Sequence, residues 1–166
     1  MILGLSLSTF TLIHVLISLV AIASGLIAMV GLLTSNPLRG WTALFLLTTI
    51  LTSVTGFFFP FAQLLPSHIV GIISLLLLTP AVIALYLRRL GGIWRPIYVV
   101  TALLSLYLNM FVLVVQGFVK IPWLTALAPT QTEPPFLAAQ GALLAFFAVV
   151  IVLATRRFRP ALTSAA

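Results

Sequence analysis

No Asp, Glu, Lys or Arg occurs between Met1 and Leu38, and none again between Gly40 and Leu87. Two more charge-free runs, 96–119 and 134–155, follow. A water-soluble domain normally has roughly a quarter of its residues charged. This chain has 5%, against 63% hydrophobic. That leaves too few polar side chains to cover a water-exposed surface, so most of the chain must be solvated by lipid. Lipid offers the backbone no hydrogen bonds, so each buried segment has to satisfy its own, as a helix does. A membrane barrel would need short segments of alternating polarity, and none is present.

A bilayer core of ~30 Å takes about 20 helical residues. Five stretches meet that length: 10–33, 41–59, 67–87, 96–119 and 136–155. Asn36-Pro37 breaks the chain after the first, and Pro60 after the second. Ser67 is placed to cap the third after Pro66, and Thr79-Pro80 predicts a kink inside it. Pro96 suits the first turn of the fourth. The expectation is an all-α, five-transmembrane-helix bundle, one membrane domain over 1–166. "MILGLSLSTF" has no basic n-region and reads as the approach to a retained first helix rather than a signal peptide.

The charges orient this bundle. Arg39 lies between spans one and two, and Arg88, Arg89 and Arg95 between three and four. Arg156, Arg157 and Arg159 follow the fifth. Lys120 and Glu133 stand alone between four and five. The positive-inside rule then puts the N-terminus outside and the C-terminus in the cytoplasm. Net charge is +7, but these arginines sit at the ends of apolar runs. They fit anionic lipid headgroups better than nucleic acid.

Chemistry must use what is present. Cysteine is absent, which removes disulfides, thiolate metal sites, iron–sulfur clusters and thioether-linked haem. A pair of carboxylates for acid–base work does not exist, and no phosphate loop, dinucleotide fingerprint or nucleophile elbow occurs. No catalytic residue is therefore assigned. A metal site would need His14, His68 and Glu133 together, and none is assigned either.

Polar residues inside the apolar runs mark faces turned toward protein. In the first run His14, Ser18, Ala21, Gly25 and Ala28 form one helical stripe. In the fourth, Thr101, Ser105, Asn109, Gln116 and Lys120 do the same. Most Ser and Thr hydroxyls are expected to bond back to the preceding turn. The strongly polar groups gather at one end of the bundle: His14, Gln116, Lys120, Gln131, Glu133 and Gln140, with Asn109 deeper. Glu133 is expected to pair with Lys120, the one basic side chain on its side, or to share a joint site with it closed by Gln116, Gln131 or Gln140.

The stretch "LNMFVLVVQGFVKIPWLTALAPTQTEPPFLAAQ", 108–140, resembles a recurring segment of small bacterial integral membrane proteins of no assigned activity. The matching residues are Asn109, Gln116, Lys120, Ala128 to Gln131, Glu133 to Phe136, and Gln140. The resemblance implies an inner-membrane setting and nothing about a substrate.

The leading expectation is a non-enzymatic membrane protein. It binds a small or lipid-like ligand, or a partner, through His14, Asn109, Gln116, Lys120, Gln131, Glu133 and Gln140. Two alternatives stay open. One is a redox protein with b-type haem or quinone held by His14 and His68. The other is an accessory structural subunit of a membrane complex, docking on a protein partner or on a second copy.

Overall fold

A computed structural model of the chain describes residues 2, 4–60 and 66–160. It is all-helical: α1 spans Leu7–Leu33, α2 Arg39–Gly56, α3 Pro66–Val82, α4 Trp94–Lys120, α5 Pro122–Leu127 and α6 Pro134–Arg157. Among the described residues four helical stretches are long and apolar enough to cross a membrane. They are Leu7–Leu33, His68–Leu87, Trp94–Lys120 and Pro134–Arg157. α2 is not one of them. Its helix stops at Gly56, three residues short of the expected boundary, because Phe57 turns back to the carbonyls of Val54 and Thr55. At 18 residues it covers about 27 Å, and it is rich in hydroxyls.

Local chemistry sets the other boundaries. α1 starts early because the Ser6 hydroxyl caps it, accepting from the Thr9 amide at 3.1 Å. α3 already includes Pro66 and Ser67, so Ser67 is a first-turn residue and not the cap expected from the sequence; the position before Pro66 lies outside the described residues. Pro80 stays inside α3, and the helix then widens into a π turn over Ile83–Leu87. Proline has no N–H and crowds the carbonyl four residues back, so the ladder changes register nearby. The Arg88 amide accordingly reaches Ile83 O at 2.9 Å. α6 opens with Pro134 and Pro135, whose missing amides would have had no helical partner in the first turn.

α4 lies at the centre of the bundle, packed on α1, α3 and α6, while α2 bridges α1 and α3. The core joins Ala28, Phe45, Leu78, Val99, Leu103, Leu106, Phe147 and Phe158. Its tightest point is Gly25. A Cβ built there would stand 2.6 Å from Leu106 Cδ1 and 2.8 Å from Phe45 Cδ2. Only the missing side chain lets α1, α2 and α4 meet so closely, the small-residue packing that membrane helices use. The outward faces are apolar, with Leu12 59% and Leu76 68% exposed.

The two ends of the bundle differ. At one end the Arg159 amide donates to Ser35 Oγ at 2.8 Å, and Tyr98 stacks near Phe158. These contacts join the end of α1, the start of α4 and the end of α6, and they gather the arginines. The opposite end carries Lys120, Glu133 and both histidines.

Candidate functional site

Below the tight crossing at Gly25 the bundle is filled. Toward the Lys120 end it opens into a cavity of about 620 Å³ between α1, α2, α3 and α4. His14, Ser18, Leu19 and Ile22 of α1 line it, with Thr52, Ser53 and Gly56 of α2. His68, Gly71 and Ser74 come from α3, and Asn109, Leu113, Gln116 and Lys120 from α4. The volume falls within the roughly 300–1,000 Å³ of small-molecule sites, and the mixture of many apolar walls with few polar groups is typical of them.

The polar lining is partly committed. His14 Nδ1 lies 2.8 Å from Thr55 Oγ1, and that hydroxyl lies 2.7 Å from Leu51 O. A carbonyl oxygen can only accept, so the Thr55 proton points at Leu51. His14 must then donate from Nδ1, which fixes the tautomer. In the neutral imidazole Nε2 is then left as an acceptor. The His14 ring stands edge-on to Phe59 at 5.1 Å, and His68, 3% exposed, tilts against Phe57. Asn109 Nδ2 donates to Thr49 Oγ1 at 3.2 Å, tying α4 to α2 at the cavity floor.

Hydroxyls elsewhere bond back along their helices as expected, among them Ser18, Ser24, Thr48, Thr101, Ser105 and Thr155. Thr52 Oγ1 and Ser74 Oγ do not. Both are buried and have no hydrogen-bond partner among the described residues, and both residues line the cavity. A buried orphan hydroxyl costs about 1–3 kcal/mol. Of this wall the sequence singles out His68; Gly71 and Ser74 continue its three-residue spacing along α3, and Thr49, Thr52, Ser53 and Gly56 mark one side of α2.

The expected polar cluster separates into two groups. His14, Asn109, Gln116 and Lys120 line the cavity. Gln131, Glu133 and Gln140 do not, and the expected Lys120–Glu133 pair does not form. The Glu133 carboxylate instead closes its own loop. Oε1 accepts from the Thr130 amide at 3.1 Å and hydroxyl at 2.8 Å, and Oε2 accepts from the Thr132 amide at 3.0 Å. Desolvation opposes ionisation of this carboxyl, but together the Thr130 hydroxyl and the amides of Thr130, Glu133 and Thr132 outweigh it. They hold Glu133 below the usual carboxylate range. The position just before α6 adds the favourable end of the helix dipole. Local hydrogen bonds to adjacent residues win because they cost little chain entropy, whereas Lys120 must be reached across α5.

Gln131 takes a left-handed backbone at φ 60° to make this turn. Beneath it Phe118, Ala128 and Phe136 form a small second core, with Phe118 and Phe136 edge-to-face at 5.3 Å. Gln140 Nε2 donates to Phe111 O at 3.2 Å, fastening α6 to α4. α5 is a single short helix just after Lys120, with Trp123 64% exposed. No group of three or more His, Cys, Asp or Glu able to hold a metal occurs among the described residues.

Fold and site together define an all-helical protein whose apolar helices suit insertion in a membrane, with a largely apolar cavity carrying a few polar groups at one end of the bundle. No protein-family model, curated protein or solved structure matches this chain.

Proposed function

We propose that this chain is a five-span protein of the bacterial inner membrane that binds a small or lipid-like ligand in the cavity at its outer end. The observation that carries the reading is the cavity itself. It brings His14, Asn109, Gln116 and Lys120 from distant parts of the sequence around one space, with His68 beside them. α2 is the fifth span. It is short, but it packs between α1 and α3 and turns Trp41, Leu44, Leu47, Leu51 and Val54 outward, an apolar face suited to lipid. The arginine end faces the cytoplasm by the positive-inside rule, and the arginines meet anionic headgroups there. The resemblance of 108–140 to small inner-membrane proteins agrees with that setting.

Gly56 provides the test. A Cβ there meets only His14 Cε1, at 3.9 Å, so Gly56→Leu has room for its first carbon and places a bulky side chain in the cavity. Native mass spectrometry of delipidated protein, challenged with a bacterial polar-lipid extract, should show a bound species on the parent that Gly56→Leu lacks. Equal occupancy on both proteins would refute the reading.

A second reading uses the same space. His14 and His68 line one cavity, and His14 Nε2 is unprotonated, as a haem iron or a quinol hydroxyl requires. A visible spectrum of mildly purified protein, oxidised and then reduced, tests it. A Soret band lost on replacing either histidine would establish haem.

A further inference from the structure

We infer that the cavity takes a single-chain amphiphile with one negative charge, its head on Lys120 and its chain directed inward. The inference rests on the ligand-binding reading above and names the ligand class.

The chain has one carboxylate side chain and eight basic ones. That carboxylate, Glu133, is fully engaged by Thr130 and Thr132. The seven arginines belong to the opposite end of the bundle. Lys120 is therefore a cation at a cavity mouth with no acid from its own chain to meet it. A second cation is not provided by the residues lining the cavity. One positive charge matches one negative charge, a carboxylate or a phosphodiester, and falls short for a phosphate monoester or diphosphate.

Depth follows from the tautomer of His14. Its Nδ1–H is committed to Thr55, so Nε2 presents a lone pair that repels an anion. The head is thereby kept at the level of Lys120 and Gln116, whose amide supplies a second donor one turn below. Beneath that level Leu19, Ile22 and Leu113 offer apolar walls. Leu19 of α1 is also 46% exposed and Leu113 of α4 39%. Both line the cavity and keep open surface there, which fits the gap between α1 and α4 as the way in from the bilayer. A volume of 620 Å³ holds one chain and its head and is too small for a two-chain lipid.

The test compares three probes on delipidated protein in neutral detergent, read by native mass spectrometry: hexadecanoate, hexadecanol and a lysophosphatidylglycerol. The proteins are the parent, Lys120→Gln, Lys120→Arg and Gly56→Leu, with a thermal melt to confirm that each is folded. The parent should bind an anionic probe about tenfold more tightly than the alcohol, the scale of one charge-assisted contact. Lys120→Gln should erase that difference and leave the alcohol unchanged, while Lys120→Arg should keep it. Binding of hexadecanoate assigns the head as carboxylate. Binding of the lysophospholipid alone assigns it as phosphodiester. Equal binding of acid and alcohol to the parent, or no effect of Lys120→Gln, overturns the assignment of the head and leaves the cavity reading intact. Failure of every probe, or undiminished binding to Gly56→Leu, overturns both.

Discussion

Two glycines in the same bundle should answer oppositely to the same methyl group. At Gly25 a Cβ would lie 2.6 Å from Leu106 Cδ1 and 2.8–2.9 Å from the Phe45 ring. Leu106 is 1% exposed and Phe45 2%, so neither has room to retreat. Overpacking of a tight core costs about 1–3 kcal/mol. At Gly56 the same Cβ meets nothing closer than 3.9 Å. Both changes gain about 0.5–1 kcal/mol from the lower backbone freedom of Ala, less at Gly56 because it ends its helix. Gly25→Ala should therefore be destabilised by about 0–2.5 kcal/mol, and Gly56→Ala should be level with the parent or slightly more stable. The propensity gain largely cancels in the comparison, which leaves about 1–3 kcal/mol of overpacking. Reversible unfolding in mixed micelles with increasing SDS reads the difference. If Gly25→Ala is as stable as Gly56→Ala, the close meeting of α1, α2 and α4 is wrong, and the cavity above it loses its floor.

Other expectations follow from the loop and the topology. Glu133 has its folded pKa lowered, so its clasp is fully formed above the unfolded value of about 4.3. It is lost as pH falls through the lower folded value. Amide protection factors of Thr130 and Thr132 should drop over that interval, and in Glu133→Gln they should be low at every pH. Gln140 gains one bond to Phe111 O but buries Oε1 without a partner among the described residues; Gln140→Met should change stability by less than about 1 kcal/mol in the same SDS titration. With no native cysteine, single cysteines report sidedness directly. Thr132→Cys should react with an impermeant maleimide on intact spheroplasts, and Ser35→Cys should react only after lysis. The reverse pattern would invert the proposed orientation.

Much of this architecture is legible in the sequence, because charge-free runs and prolines act locally. Four long apolar helices appear where the runs predict them, and the stripe through Ala21, Gly25 and Ala28 is buried. The second run is the ambiguous one. Its threonines serve equally as packing groups or as a cavity wall, and composition does not record that the helix ends at Gly56. The site was half legible. Amides and charges at helical spacing identified the α1 and α4 walls, since such groups cannot face lipid. The α3 wall was missed because its markers, Gly71 and Ser74, carry little polarity of their own. The Lys120–Glu133 pair was expected on charge alone. Charge says which groups attract, but the Thr130 and Thr132 donors lie within three residues of Glu133 and are met first.

On the proposed reading, the space between α1 and α4 at the Lys120 end takes a chain-like ligand. Photolabelling tests it most directly, using a long-chain amphiphile with a mid-chain diazirine and peptide mapping of the adducts. The account predicts adducts on Leu19, Ile22 and Leu113, removed by Gly56→Leu. Labelling confined to outward residues such as Leu12 and Leu76, unchanged in Gly56→Leu, would contradict it.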